Sequence, residues 1–86
     1  MKFTTYILLS EKTNQYYIGS TNDINRRFKQ HNDQMRKSWA SKRAPWKLIF
    51  QQNFSSRSEA MRLERHLKSF KNRTTLMNYV GGKVSR

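Results

Sequence analysis

Two β-patterned segments near the N-terminus, separated by five polar residues, constrain the fold of this chain more than any other feature. Residues 2–9 alternate along a predicted strand, so one side carries Phe3, Thr5, Ile7 and Leu9 and the other carries Thr4, Tyr6 and Leu8. Residues 15–20 predict a second strand because they are rich in aromatic and β-branched side chains. The short polar segment 10–14 then predicts an antiparallel hairpin.

A helix is predicted directly after the hairpin. Thr21 or Asn22 is expected to supply its N-cap, because hydroxyl and amide side chains accept hydrogen bonds from free backbone N–H groups. The apolar side of this helix is spaced at four, three and four residues and consists of Ile24, Phe28, His31 and Met35. Residues 35–44, basic and polar around Trp39, predict a mobile loop after it.

A third strand and further helices complete the predicted order. Pro45 restricts the backbone immediately before the candidate strand at residues 46–53. A second helix follows, and its candidate N-caps are Ser55, Ser56 and Ser58. Its predicted buried stripe consists of Ala60, Leu63, Leu67 and Phe70. A short last helix is expected within residues 72–80, where Leu76 and Met77 supply apolar contacts.

This order predicts an α+β fold, with a small three-stranded antiparallel β-sheet flanked by two or three helices in the order β-β-α-β-α-α. The chain of 86 residues suffices for one domain and is too short for two. We expect that domain to span residues 1–80, with residues 81–86 as a flexible basic tail.

The charge of the chain indicates its partner. Eighteen Lys and Arg face five Asp and Glu, which gives a net charge of +13. Such a chain repels itself unless a polyanion neutralises it, and nucleic acid is the common polyanion. A merely soluble basic protein, an RNA-coating protein of the ribosomal type and binding to an anionic membrane surface are the alternatives. No membrane partner is expected, because no run approaches the roughly 20 apolar residues of a span.

Other classes of protein are excluded by residues that are missing. The chain has no cysteine, so disulfides and cysteine-based zinc sites are ruled out. The N-terminus lacks the charged and then apolar layout of a signal peptide, so a cytoplasmic location is expected.

Two tyrosines of the predicted hairpin are candidates for chemistry. Tyr6 and Tyr17 would project from one face, where paired phenols can stack bases or relay a proton. The alternative is that both simply pack on the sheet.

The first helix carries an arginine at the edge of its apolar stripe. Arg27 lies four residues before His31, so their side chains are neighbours, and a guanidinium at the margin of a core is well placed to grip a phosphate. A snorkelling side chain is the alternative for Arg27. Arg26 falls on the opposite side of the helix from the apolar stripe, where a solvated charge is favoured over a contact with substrate. His31 taken alone would more commonly be a packed helix residue than a base.

The second helix carries the most informative carboxylate. Glu64 borders the predicted buried stripe amid Arg62, Arg65 and Lys68. A carboxylate there can anchor Mg²⁺, with waters and a substrate phosphate completing the coordination. The alternative is an i,i+4 ion pair with Lys68.

These residues together resemble the GIY-YIG endonuclease family across nearly the whole chain. The second half of the motif is Tyr16-Tyr17-Ile18-Gly19, followed by Arg27 and His31, whereas Thr4-Thr5-Tyr6 retains only the tyrosine of the first half. The later stretches at residues 45–49 and 58–68 resemble the small stand-alone bacterial members related to the nuclease domain of the excision-repair protein UvrC.

The resemblance implies hydrolysis of phosphodiester bonds with one divalent metal, Mg²⁺ or Mn²⁺. Tyr17 or Tyr6 would help to activate water, Arg27 would hold the phosphate, His31 would orient a tyrosine or the nucleophile, and Glu64 would bind the metal. A late asparagine of the family is matched by Asn72 or Asn78. If both helices cover the same sheet, Arg27 and Glu64 are expected to converge near the tyrosine pair.

The sequence thus supports two hypotheses, a metal-dependent endonuclease and a non-catalytic basic nucleic-acid-binding module. The first is favoured because binding alone does not require Glu64 amid basic residues. DNA is expected ahead of RNA, with selectivity for structures such as flaps, branches or ends. The candidate substrate-binding residues are Arg26, Arg36, Lys37, Lys42, Arg43 and Asn78. Four of these lie in the 35–44 loop, and the alternative is that this loop is a run of solvated charges that does not contact substrate.

Overall fold

The computed structural model describes residues 2–33 and 39–84 of the chain. Its strands and helices are β1 (Phe3–Ser10), β2 (Tyr16–Thr21), α1 (Ile24–Asn32), β3 (Trp46–Phe54), α2 (Arg57–Lys68) and α3 (Arg73–Val84). The strands form one antiparallel sheet in the order β2-β1-β3, so β1 is central. The predicted α+β class and the predicted order of elements are both confirmed.

The central strand is buried on both sides because successive side chains of a strand point to opposite faces. Tyr6 and Leu8 pack with Trp46 on the face that α1 covers, called here the α1 face. Ile7 packs with Leu67 of α2 on the opposite face, called the α2 face. The residues that complete this second core include Phe50, Leu76 and Val80.

A β-bulge in β3 lets that strand serve both cores. Leu8 pairs with Leu48 and Ile7 pairs with Phe50, so Ile49 is an extra residue between the two pairs. Without the bulge, Phe50 would share the face of Leu48, because the side-chain period of a strand is two. The bulge therefore places Leu48 against the α1-face core and Phe50 in the α2-face core.

The predicted N-cap of α1 is wrong, whereas one of the predicted caps of α2 is confirmed. Asp23 caps α1, and its Oδ1 accepts a hydrogen bond from the backbone N–H of Arg26 at 3.1 Å. Thr21 instead accepts from the N–H of Asp23 at 3.1 Å, so its hydroxyl is engaged two residues before the N-cap. Ser56 caps α2 by accepting from the N–H of Glu59 at 3.3 Å.

The ends of several elements differ from the prediction. α1 ends at Asn32, and Met35 lies outside the described residues. Within the expected loop, the described part contains a short 3₁₀ turn, Ser41–Arg43, flanked by the buried side chains of Ala40 and Ala44. Burial of these two alanines against Trp46 explains why this part of the segment packs.

The last helix is longer than expected. α3 runs to Val84, so the first four residues of the predicted tail are helical, and residues 85–86 lie outside the described part of the chain. Glycines at 81 and 82 disfavour a helix by about 1 kcal/mol each relative to alanine but do not prevent it. Within residues 2–33 and 39–84, no helix has the length and apolar character required to span a membrane.

Candidate active site

The register of the hairpin brings two tyrosines together on the α1 face. Tyr17 lies directly opposite Leu8, and Tyr6 lies opposite Gly19, so the two tyrosines are diagonal neighbours on one side of the sheet. Their rings are stacked, with centroids 6.2 Å apart and an interplanar angle of 12°. Tyr6 is 2% exposed, whereas Tyr17 is half-buried and reaches the surface.

Gly19 is required by the close approach of the Tyr6 ring to β2. A Cβ atom at residue 19 would lie 2.8 Å from the Tyr6 hydroxyl oxygen and 3.2 Å from Cε1 of Tyr17. Such distances are shorter than normal van der Waals contacts, so any larger residue would push the tyrosines from their positions. Glycine therefore lets the Tyr6 hydroxyl lie against the edge strand.

The imidazole of His31 joins the tyrosine pair from α1. Its Nε2 lies 3.3 Å from the Tyr6 hydroxyl, and both groups are buried. Its ring centroid is 4.5 Å from that of Tyr17. The next residue, Asn32, docks the end of α1 on β3, because its amide hydrogen-bonds the backbone N–H and C=O of Trp46.

The environment of Tyr6 keeps its hydroxyl protonated. Burial is the main cause that raises the pKa of Tyr6, and Tyr17 raises it further. The charge of Arg27 acts in the opposite direction, and that of Glu64 adds to the increase. Tyr6 is thus a neutral phenol near pH 7, able to donate a hydrogen bond.

Glu64 approaches from the other side of the sheet, on α2. Its Oε1 accepts a hydrogen bond from the Ser20 hydroxyl at 2.7 Å, and its Oε2 pairs with Nζ of Lys68 at 2.8 Å. The i,i+4 pair that was the alternative interpretation of Glu64 therefore exists, and it accounts for only one of the two oxygens. The side chain remains 22% exposed.

These contacts hold Glu64 in its ionised form. Burial alone would raise the pKa of Glu64, but the hydrogen bonds from Lys68 and Ser20 outweigh it. The positive charges of Lys68 and Arg65 act in the same direction, so the pKa lies below its ordinary value.

An open cleft of about 390 Å³ at the edge of β2 collects these groups. Arg27 reaches it from the α1 face and Glu64 reaches it from the α2 face. The cleft is lined by Tyr6, Tyr16, Tyr17, Ile18, Gly19, Ser20, Arg27, Trp39, Glu64 and Lys68. The predicted convergence thus occurs around the edge strand, with the helices on opposite faces. His31 lies behind the wall that Tyr6 and Tyr17 form.

The candidate substrate-binding residues that the structure describes lie apart from this lining. Arg26 is exposed and borders a separate cavity with Asp23 and Lys29 on the outer side of α1. Lys42 is exposed within the 3₁₀ turn. Arg36 and Lys37 lie outside the described residues.

The remaining candidates have local structural settings. The guanidinium of Arg43 lies over the Trp39 ring, 4.1 Å from its centroid. Asn72 accepts a hydrogen bond from the N–H of Thr75 at 2.8 Å, which caps α3. Asn78 is exposed on α3, and the cleft lining found for the described residues includes neither asparagine.

Six residues of the cleft lining were not among the predicted site residues: Tyr16, Ile18, Gly19, Ser20, Trp39 and Lys68. Ser20 had a usable signal, because strand alternation puts it on the opposite face from Gly19, toward α2. Gly19 could have been found from its place in a strand, where glycine commonly marks a close approach. Nothing local predicts that Trp39 reaches the cleft.

The donor chemistry at Glu64 fits one hard divalent cation. In the described part of the chain, no group of three or more His, Cys, Asp or Glu could enclose a metal ion. Mg²⁺ does not require such a cage, since it commonly binds through one or two carboxylates, waters and substrate phosphate oxygens. An ionised carboxylate that is half-buried and opens on a cleft satisfies this requirement.

Comparison with known proteins finds one matching family and several relatives. Residues 2–79 match the GIY-YIG catalytic domain. The UPF0213 protein YazA of Bacillus subtilis is 42% identical over 57 residues, which cover 66% of this chain and 58% of YazA. The structure-specific endonuclease subunit SLX1 of Meyerozyma guilliermondii is 39% identical over 72 residues, covering 77% of this chain and 24% of SLX1.

A solved structure shows the same fold. The solution NMR structure of the UPF0213 protein BH0048 from Bacillus halodurans has a TM-score of 0.61 and 32% identity, covering 99% of this chain and 88% of that one. The matched family is described as a catalytic domain, and SLX1 is by its name a subunit of a structure-specific endonuclease. From residue 2 to residue 79, the chain belongs to the GIY-YIG catalytic-domain family.

Proposed function

We propose that this protein is a divalent-metal-dependent endonuclease that hydrolyses phosphodiester bonds in DNA. One observation carries the proposal: Arg27 and Glu64, supplied from opposite faces of the sheet, line one cleft with Tyr6 and Tyr17. A substrate that bears a negative charge and reacts with the help of a metal and a proton transfer would use all of these groups together.

Arg27 is proposed to hold the phosphate that is cleaved. Its side chain is half-buried at the rim of the α1-face core, where a planar guanidinium can donate two parallel hydrogen bonds to phosphate oxygens. Charge increases on those oxygens in the transition state, so the fixed positive charge of Arg27 stabilises the transition state more than the ground state.

The two tyrosines are proposed to divide the handling of the proton. Tyr17 is half-buried in the cleft wall, so its hydroxyl is the better placed of the two to relay a proton: its oxygen accepts the proton of the attacking water while its own phenolic proton passes to solvent. Tyr6, buried and neutral, fixes that wall and hydrogen-bonds His31. His31 therefore orients Tyr6 rather than reaching into the cleft itself.

Glu64 is proposed to hold Mg²⁺ or Mn²⁺. Each carboxylate oxygen has a second lone pair, so Glu64 can bind a metal while Ser20 continues to orient it. When bound, the metal polarises the phosphate and stabilises the leaving oxygen. Lys68, at 2.8 Å from Glu64, holds the carboxylate before binding and is free to turn to a phosphate afterwards.

The substrate and the cellular role are proposed from the charge of the chain and from its relatives. A net charge of +13 favours a nucleic acid as substrate. The name of SLX1 describes a structure-specific endonuclease, which favours branched DNA for this chain as well. Bacterial relatives and the resemblance to UvrC favour a cytoplasmic role in DNA repair.

The proposal is tested by incubating the purified protein with branched, flapped and duplex DNA, with Mg²⁺, with Mn²⁺ and with EDTA. Cleavage is expected only with metal, and Glu64→Ala is expected to remove it. The matched control is Glu59→Ala, on the same helix but outside the cleft lining.

Two results would contradict the proposal. One is the absence of product with every substrate, and the other is equal cleavage by Glu64→Ala and the parent protein. Steeply salt-dependent binding without product, unchanged in Glu64→Ala, would instead identify a non-catalytic nucleic-acid-binding module.

A further inference from the structure

Trp39 is an exposed indole at the rim of the cleft. It is 47% exposed, and among the residues that the structure describes only Met61, at 43%, is a comparably exposed large apolar side chain. Met61 lies on α2, whereas Trp39 lines the same cleft as Tyr17, Arg27 and Glu64. An exposed aromatic ring beside a basic cleft offers a surface on which a base can stack.

The indole is held in place before any substrate arrives. The guanidinium of Arg43 lies over the ring at 4.1 Å from the centroid, and its Nη1 donates a hydrogen bond to the Trp39 carbonyl at 2.9 Å. Nε of Arg43 donates to Gln15 at 2.8 Å, which ties the group to the hairpin. Because Arg43 fixes both the backbone and the ring, little conformational entropy remains to be lost on binding.

The buried residue that follows strengthens this anchorage. The carbonyl of Ala40 accepts hydrogen bonds from the Trp46 indole at 2.7 Å and from the backbone N–H of Arg43 at 3.1 Å. Trp39 is thus attached to the α1-face core through its neighbour, although its own ring is exposed.

The ring also stands next to the tyrosine wall. The centroid of Trp39 is 6.1 Å from that of Tyr17 and 6.0 Å from that of Trp46. A nucleotide adjoining a phosphate held by Arg27 would therefore bring its base to this rim. Bases stack on indole rings and on guanidinium planes, and both surfaces are present here.

We infer that Trp39, positioned by Arg43, is a stacking platform for an unpaired base next to the cleaved phosphodiester. The inference rests on the proposed function, and it names the substrate feature that the cleft selects. Bases inside a duplex are stacked on one another and do not offer a free face to the rim. Flaps, branch points and frayed ends do offer one, so Trp39 makes the site prefer them.

The test uses DNA flaps and fully paired duplexes that carry 2-aminopurine at the nucleotide beside the junction, because stacking on an indole quenches this base. Binding is measured in EDTA with Glu64→Ala as the background protein, so cleavage does not interfere. The flap probe is expected to be quenched. Adding Trp39→Ala should abolish the quenching and weaken flap binding about tenfold more than duplex binding.

Two further variants separate stacking from folding. Trp39→Phe retains a smaller ring and is expected to keep part of the flap preference, which a purely structural defect would not produce. Met61→Ala removes the other exposed apolar side chain and should leave quenching and preference unchanged.

Quenching that survives Trp39→Ala, or equal losses of flap and duplex binding, would overturn the inference. Its failure is distinguishable from failure of the nuclease proposal. If metal-dependent cleavage is absent but quenching depends on Trp39, the nuclease proposal fails and the base-stacking site stands. If cleavage occurs without any flap preference, the nuclease stands and the stacking platform is wrong.

Discussion

The two faces of the sheet contain different kinds of core. On the α2 face, the buried side chains of Ile7, Phe50, Leu67, Leu76 and Val80 form an apolar interior, and buried Thr5 donates its hydroxyl proton to the Ala60 carbonyl. On the α1 face, the buried and half-buried side chains include four rings with polar atoms, those of Tyr6, Tyr17, His31 and Trp46. Aliphatic packing stabilises without further requirements, whereas each polar ring atom needs a partner.

The difference separates stability from chemistry. The α2 face supplies the interior that stabilises the fold, and it carries Glu64 at its margin. The α1 face arranges hydroxyl, imidazole and indole groups behind the cleft, held by hydrogen bonds such as that between Tyr6 and His31. Because β2 is an edge strand, groups from both faces reach the same cleft around it.

The largest effect is expected from the α2-face core. Leu67 is fully buried, so Leu67→Ala should remove about 2–5 kcal/mol from the free energy of unfolding. Cleavage per folded molecule should change little, because Leu67 does not line the cleft. Urea titration measures the free energy of unfolding, and a cleavage assay at urea concentrations below the unfolding transition measures the activity of the folded protein. Met61→Ala, exposed on the same helix, should stay within about 0.5 kcal/mol of the parent, and an equal loss there would break the comparison.

Gly19→Ala, in contrast, should lower both the stability and the cleavage rate of the molecules that remain folded. The added methyl would lie 2.8 Å from the Tyr6 hydroxyl oxygen, so the tyrosines must move or the strand must shift. We expect a cost of about 1–3 kcal/mol in stability and a loss of cleavage of about tenfold in the molecules that remain folded. Gly81→Ala is the control, because a Cβ there meets nothing within 4 Å. Cleavage at the parent rate by Gly19→Ala would show that the tyrosine positions do not matter.

The smallest expected effect is the pH dependence that Glu64 contributes. Its pKa in the folded protein is lower than the ordinary value of 4.5, because hydrogen bonds and charge from Lys68 and Ser20 outweigh burial. The resulting stability is present above pH 4.5 and is lost as the pH falls through the lowered pKa. The difference in Tm between the parent and Glu64→Gln should therefore shrink between pH 6 and pH 3. A difference that stays constant over this range would contradict the assignment.

Local patterns predict much of this structure. Alternation in β1 and β2, the helical spacing around Phe28, and the Ser56 cap all act within a few residues, and each was visible in the sequence. The cap of α1 was misplaced by one or two residues because Thr21, Asn22 and Asp23 all accept hydrogen bonds and only the path of the chain selects Asp23.

The features that place the site depend on long-range pairing. The bulge at Ile49 and the pairing of β1 with β3 follow from contacts between residues more than 35 positions apart along the chain. For the same reason, local patterns could predict that Arg27 and Glu64 border apolar stripes, but not that the stripes cover opposite faces and meet at the β2 edge. Ala40 and Ala44 pack on Trp46, and this packing brings Trp39 to the rim of the cleft. Local sequence patterns do not predict it either.

The most direct measurement of the central claim is a double-mutant cycle of Arg27→Ala and Glu64→Ala in metal-dependent cleavage of flapped DNA. Each single variant is expected to lower the rate by about a hundredfold or more. The double variant should lose less than the product of the two, because both groups serve one substrate in one cleft. Arg57→Ala and Glu59→Ala, exposed on α2 outside the cleft lining, should cleave at the parent rate. Cleavage at the parent rate by a folded Arg27→Ala or Glu64→Ala protein would contradict the account.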